Sequence, residues 1–127
     1  VSTATEPGTL FLIVGPSGVG KDSLIDGLRA RLAADRFLFA RRIITRPADA
    51  GGEAHEACSP EQFEARERAG GFLISWRAHG LDYGLAASLG DSLANGRHVI
   101  ANGSRSAVAA LAHRVPRLVV VEIDAPA

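Results

Sequence analysis

The stretch that decides the fold is GPSGVGKDSL, Gly15 to Leu24. It has the spacing of a phosphate-binding loop: Gly15, four residues, then Gly20 and Lys21. Ahead of it, TLFLIV (9–14) is a short apolar run that reads as a buried strand of a parallel sheet. Behind it, from Asp22 to about Asp35, Leu24, Ile25, Leu28 and Leu32 recur on one helical face. Strand, glycine-rich turn and helix therefore come in the order such a loop requires. The glycines let backbone N–H groups turn inward around phosphate oxygens, and the helix aims its positive end at the same anion. Gly15, Pro16, Ser17, Gly18, Val19, Gly20, Lys21, Asp22 and Ser23 are the candidate nucleotide-binding residues, with Lys21 adding a mobile positive charge for the β- and γ-phosphates.

The position after the lysine is normally Ser or Thr, whose hydroxyl helps to hold Mg²⁺. Here it is Asp22, and a serine comes one place late, at Ser23. One helical step turns Ser23 about 100° away, so it does not replace the missing hydroxyl. A carboxylate beside a triphosphate repels it unless a cation lies between them, and magnesium takes one or two carboxylates together with substrate phosphates. Asp22 therefore reads either as a magnesium contact, direct or through water, or as an acid favoured by the helix dipole. The strand HVIANGSR lacks the Asp that usually supplies the other magnesium contact.

The chain has 127 residues, enough for one domain with its own core. Fourteen basic and fourteen acidic side chains cancel, so the global basic field of a dedicated nucleic-acid binder is missing, although ARRIITRP is a local basic cluster. Cys58 is the only cysteine, which excludes an intrachain disulfide. VSTATEPG has no basic segment followed by an apolar run, and no apolar stretch approaches the roughly 20 residues needed to span a membrane. The expectation is a cytoplasmic protein with neither nucleic acid nor membrane as partner.

Beyond the loop, FLFARRIIT (37–45) reads as a second strand, and the Gly, Ala and Pro of RPADAGGEAHEA as a loop. SPEQF opens a helix: Ser59 caps it, Pro60 fits its first position and Gln62 completes a capping box. That helix should end near Gly70-Gly71. FLISW (72–76) reads as a strand, AHGLDYG as a turn, and Leu85, Leu89 and Leu93 as one face of a helix closed by Asn95-Gly96. HVIA (98–101) is a strand, 104–114 a helix with Val108 and Leu111 inward, and LVVVEID (118–124) a β-branched strand of the buried type. The alternation argues for an α/β fold with a mostly parallel central sheet flanked by helices. It divides into a core, about 9–45 and 98–127, and an insertion, about 46–97. His79, His98 and His113 have no metal-ligand spacing, and Trp76 reads as core.

GPSGVGKDSL, ITRPADAGGEAH, SPEQF, SWRAHGLDYG and NGSR occur in this order. Together they resemble the ribose 1,5-bisphosphate phosphokinases of phosphonate breakdown, a guanylate-kinase-like group of P-loop kinases, over about Thr9 to Asp124. The resemblance implies a P-loop NTPase fold of the nucleoside monophosphate kinase type. It implies transfer of the γ-phosphoryl of ATP, with Mg²⁺, to ribose 1,5-bisphosphate, giving 5-phosphoribosyl 1-diphosphate (PRPP). Lys21, Asp22 and Arg46 would then be catalytic, and Arg46, His55, Tyr83 and Arg105 would bind the acceptor. Guanylate kinases carry a guanine-reading Glu where this chain has Ser75, and acids where it has ANGS, which favours an acceptor without a purine.

Kinases of this fold continue past VVVEID with an arginine-rich lid, a strand and a helix, whereas this sequence ends at Ala127. The expectation is therefore a C-terminally shortened member, able to self-associate through the edge so left. The readings that compete with the sugar-phosphate kinase are a non-catalytic nucleotide-binding homologue and a nucleoside monophosphate kinase.

Overall fold

The computed structural model describes residues 6–16, 20–47 and 55–124. Strand β1 (Leu10–Val14) is the apolar run ahead of the phosphate loop, and its Leu10, Leu12 and Val14 are fully buried. It is an inner strand of a 4-stranded sheet formed with β2 (Phe37–Phe39), β7 (His98–Asn102) and β8 (Leu118–Glu122), in the order β2-β7-β1-β8. Every pairing in it is parallel, with Leu12 set between Ala101 and Val120. Helix α1 (Lys21–Arg31) follows the loop as expected. Its apolar face is only partly covered: Ile25, Leu28 and Leu32 are half-buried and Leu24 is exposed.

A second 4-stranded sheet runs β4 (Glu56–Ala57), β3 (Ile43–Ile44), β6 (Leu81–Ala86), β5 (Phe72–Ala78). It begins at Ile43, so FLFARRIIT is two strands in different sheets rather than one. After Ala40, whose N–H donates to Ile100, the chain leaves the first sheet through Arg41 and Arg42. The expected turn AHGLDYG also shrinks, to His79 and Gly80, whose φ values of 54° and 72° suit the tight turn between twisted antiparallel strands. Leu85, expected on a helix with Leu89 and Leu93, lies in β6, and α3 (Ser88–Ala94) starts after it. Pairing with β5 decides this, because Leu85 sits opposite Ile74.

Local signals elsewhere hold. In α2 (Pro60–Arg68) the Gln62 N–H donates to the Ser59 hydroxyl at 3.1 Å, and the Gln62 side chain accepts from the Ser59 N–H at 2.9 Å. The helix closes on Gly70, at φ 75°. The last helical segment is a 3-10 turn (Arg105–Ala107) leading into α4 (Val108–Ala112), with Leu111 fully buried. Strand β8 departs from expectation. Among the described residues it pairs with β1 alone, at the edge of the sheet, and Val119 and Val120 are exposed despite their β-branched, buried-type pattern. No helix among the described residues is long and apolar enough to cross a membrane.

One apolar cluster joins the sheets, with Leu10, Leu12 and Val14 packed together with Ile44, Trp76 and Tyr83. Beside that cluster, Gly84 of β6 makes room for the Phe72 ring: a Cβ there would lie 2.5 Å from it. That ring is held by Phe63 at 4.5 Å between centroids and by the Arg66 guanidinium at 5.2 Å. Gly84→Ala is expected to cost about 1–3 kcal/mol through overpacking. A thermal melt checks this, and an unchanged midpoint would mean that the Phe72 ring moves aside freely.

Candidate active site

A cleft of about 650 Å³ opens at the carboxyl ends of β1 and β7, where open parallel sheets bind ligands. The first sheet supplies Gly15, Pro16 and Lys21 after β1, and Gly103, Ser104 and Arg105 after β7. The second sheet supplies Arg42 and Arg46, on either side of β3, with Trp76 and Tyr83 from the β5–β6 hairpin. Ala78, His79 and Leu81, at the hairpin turn, complete it.

Gly20 caps α1 with a φ of 97° and no side-chain hydrogen bond. The N–H groups of the first helical turn are therefore left for an anion. Lys21 Nζ donates to the Gly15 carbonyl at 2.8 Å, folding its charge back over the loop. Burial pulls the Lys21 amine below the usual lysine value, Arg42 adds to this by repulsion, and Asp22 partly offsets it. Ser17, Gly18 and Val19 lie outside the described residues.

On the opposite wall the Arg42 guanidinium lies 5.0 Å over the Tyr83 ring. Tyr83 in turn stacks on Trp76, its cross-strand partner, at 5.6 Å and 5°. Burial pulls the Arg42 guanidinium below the ordinary arginine value; Tyr83 opposes this, Arg46 adds to it, and Asp22 opposes it. Arg46 is held from behind by His55, which is 4% exposed. His55 Nε2 is 2.8 Å from the Arg46 carbonyl, which requires Nε2 to donate. Nδ1 then accepts from Arg46 Nη2 at 3.5 Å. Arg46 Nε is buried with no hydrogen-bond partner among the described residues.

Of the residues singled out in the sequence, Gly15, Pro16, Lys21, Arg46, Tyr83 and Arg105 line the cleft. Arg105 does so while paired with Glu122 of β8. His55 is not among the lining residues; its contacts make it a brace for Arg46 rather than a ligand. Gly20, Asp22 and Ser23 are exposed at the start of α1, outside the lining. Ser75 is also outside it, its hydroxyl donating to Glu67 at 2.5 Å. The sequence reading takes Arg41 and Arg42 as one solvated and one structural side chain and gives His79 a surface or structural role, whereas Arg42 and His79 both line the cleft. Strand alternation counted back from Arg46 through Ile44 reaches Arg42, but nothing local shows that His79 sits at positive φ on the cleft rim. Trp76 is core, as expected, and also a cleft wall.

No Asp or Glu among the described residues lines the cleft. No cluster of three or more His, Cys, Asp or Glu side chains among them suits a metal ion. The donor set, Asp22 alone beside the loop, fits a magnesium ion that arrives with phosphate and takes most of its oxygens from phosphate and water.

No protein-family model matches the chain. It is 68% identical, over 94% of its length, to a bifunctional ribose 1,5-bisphosphokinase-thymidine phosphorylase of Azorhizobium caulinodans, and covers 17% of that protein. It is 50% identical to the ribose 1,5-bisphosphate phosphokinase PhnN of Chromobacterium violaceum, over 91% of the chain and 62% of the relative. The corresponding protein of Agrobacterium fabrum is also 50% identical, over 91% of the chain and 64% of the relative. The chain thus spans under two thirds of the length of these relatives. Among solved structures, a guanylate kinase from Anaplasma phagocytophilum superposes with a TM-score of 0.73 at 15% identity, covering 93% of this chain and 61% of that one. The fold is the guanylate-kinase-like P-loop fold, and the sequence resemblance to ribose 1,5-bisphosphate phosphokinases holds across nine-tenths of the chain.

The lowered Lys21 pKa has a measurable consequence. Bound phosphate favours the charged amine, so ADP binding takes up protons on the alkaline side and weakens as pH rises toward the ordinary lysine value of 10.5. Calorimetry in two alkaline buffers of different ionisation enthalpy should show this uptake in the wild type and not in Lys21→Met. Equal uptake in both would assign the proton to another group.

Proposed function

We propose that the chain is an ATP-dependent ribose 1,5-bisphosphate phosphokinase, producing 5-phosphoribosyl 1-diphosphate and ADP. The observation that carries the reading is the charge of the cleft: Lys21, Arg42, Arg46 and Arg105 line it without a carboxylate among the described residues. Such a site suits two heavily phosphorylated substrates and offers no acid to read a purine. The names of the relatives support the same acceptor.

In this reading the phosphate loop and Lys21 hold the ATP phosphates, while Arg46 and Tyr83 hold the reacting phosphate of the acceptor. An oxygen of the C1 phosphate attacks the γ-phosphorus. The bond from that phosphorus to the β–γ bridging oxygen breaks, and its electron pair leaves with ADP. The new P–O–P bond completes the diphosphate. A phosphate oxygen is already ionised at neutral pH, so no general base is required. The protein contributes alignment and neutralisation, which dominate phosphoryl transfer. Asp22 is the residue that would hold magnesium, together with phosphate and water, and the ion would supply neutralisation of phosphate charge. The reaction is assigned to the cytoplasm, where ATP and sugar phosphates are supplied.

Phosphorus NMR of the chain with ATP, Mg²⁺ and ribose 1,5-bisphosphate, beside a tube containing GMP, tests the proposal. The expected outcome is 5-phosphoribosyl 1-diphosphate and little GDP. GDP as the main product would overturn the acceptor, and no product in either tube would overturn the reaction for this chain. In the same assay Asp22→Ser should require more magnesium; an unchanged requirement would remove Asp22 from the metal's surroundings.

A further inference from the structure

The grip assigned to Arg46 depends on where its guanidinium points, and Arg46 stands just beyond β3 among like charges. Lys21 and Arg42 line the same cleft, and Arg46 is one of the groups that disfavour the Arg42 charge. Repulsion of that kind, with the rotamer freedom of a long side chain, drives a guanidinium out toward water unless something holds it. We propose that His55, itself anchored by Arg41, is the positioning residue that holds Arg46 in the cleft for the acceptor phosphate, an assignment that rests on the acceptor reading of the preceding subsection.

The contacts of the ring come first. His55 is buried, with Nε2 at 2.8 Å from the Arg46 carbonyl. A carbonyl only accepts, so Nε2 carries the proton; Nδ1 keeps its lone pair and accepts from Arg46 Nη2 at 3.5 Å. A proton on Nδ1 would set two donors face to face. One ring thus ties down both the main chain and the guanidinium of Arg46. Among the described residues no other hydrogen bond reaches that guanidinium, whose Nε is buried without a partner. The footing of the ring comes second. Arg41 Nη2 donates to the His55 carbonyl at 2.8 Å, and the Glu56 N–H donates to the Arg42 carbonyl at 2.9 Å where β4 begins to pair with β3. Arg41 and Arg46 lie on either side of β3, so the strand, the Arg41 side chain and the His55 ring close one braced circuit. Position comes third. His55 is outside the cleft lining, so it reaches a ligand through Arg46.

The test is a double-mutant cycle read by calorimetry on the whole chain, with ribose 1,5-bisphosphate and ADP as ligands. His55→Phe keeps a ring and removes both contacts. It should weaken the bisphosphate about 10- to 100-fold, with ADP within about twofold of wild type. His55→Gln, whose amide again offers a donor and an acceptor, should recover part of the loss; it also serves if the Phe variant folds poorly. Arg41→Gln should give a smaller loss in the same direction. In an Arg46→Gln background, His55→Phe should add less than about twofold, because its effect passes through the missing guanidinium. An unchanged bisphosphate affinity in His55→Phe, an equal loss for ADP, or a loss that adds fully to that of Arg46→Gln would overturn the assignment, the last by making His55 a ligand in its own right. The two proposals fail separately, because nitrogen NMR of the free chain reads the brace without the acceptor. His55 should show a protonated Nε2 and a bare Nδ1, and the buried Arg46 Nε–H should give a resonance that is displaced in His55→Phe. A chain with those signals that does not bind ribose 1,5-bisphosphate overturns the acceptor and leaves the brace. A chain that forms the diphosphate while His55→Phe leaves the Arg46 resonance in place does the reverse.

Discussion

The cleft gathers like charge where water is partly excluded. Lys21, Arg42 and Arg46 line it together, and burial combines with mutual repulsion to disfavour the charged forms of Lys21 and Arg42. Charges of one sign raise the energy of the empty protein, and more so at low effective dielectric. A phosphorylated ligand reverses the sign of that contribution. The rest of the architecture keeps these charged groups in place.

Each sheet provides one part. The parallel sheet brings the phosphate loop to the end of β1, with α1 capped by a glycine so that its first N–H groups stay available. The second sheet brings the arginines that flank β3 against the β5–β6 hairpin. The Trp76–Tyr83 stack gives Arg42 a fixed surface, and His55 holds Arg46 by its carbonyl and guanidinium. Because the apolar cluster runs through both sheets, the two walls of the cleft share one core. The exposed ion pairs around the rim add little stability; Arg77–Asp82 matters more for where it directs a carboxylate.

The guanylate-kinase-like fold is shared at 15% identity, so fold alone does not select an acceptor. Ser75 is turned to Glu67 and lies outside the cleft lining, while the Arg42 guanidinium lies on Tyr83.

The strand ahead of the glycine-rich stretch and the helix after it were legible because each depends on neighbours in the chain: an apolar run and helical periodicity. The Ser59–Gln62 capping box and the stop at Gly70 were legible for the same reason. Lys21, Arg46 and Tyr83 were singled out through motif and resemblance, and all three line the cleft. What stayed hidden depends on groups distant in sequence. The break at Arg41-Arg42 follows from β2 pairing with β7 and β3 with β6, partners tens of residues away. Leu85 obeys its pairing with β5 rather than its spacing to Leu89. Val119 and Val120 are exposed because β8 has a neighbour on one side only, a property of strand order. His55 became a brace and Arg42 a cleft residue through contacts across the fold. The sequence by itself determined where the phosphate-loop motif lies and which strand and helix flank it. Only the tertiary structure decided what faces that motif, since a side chain's partners across a cleft are set by how sheets pair and pack.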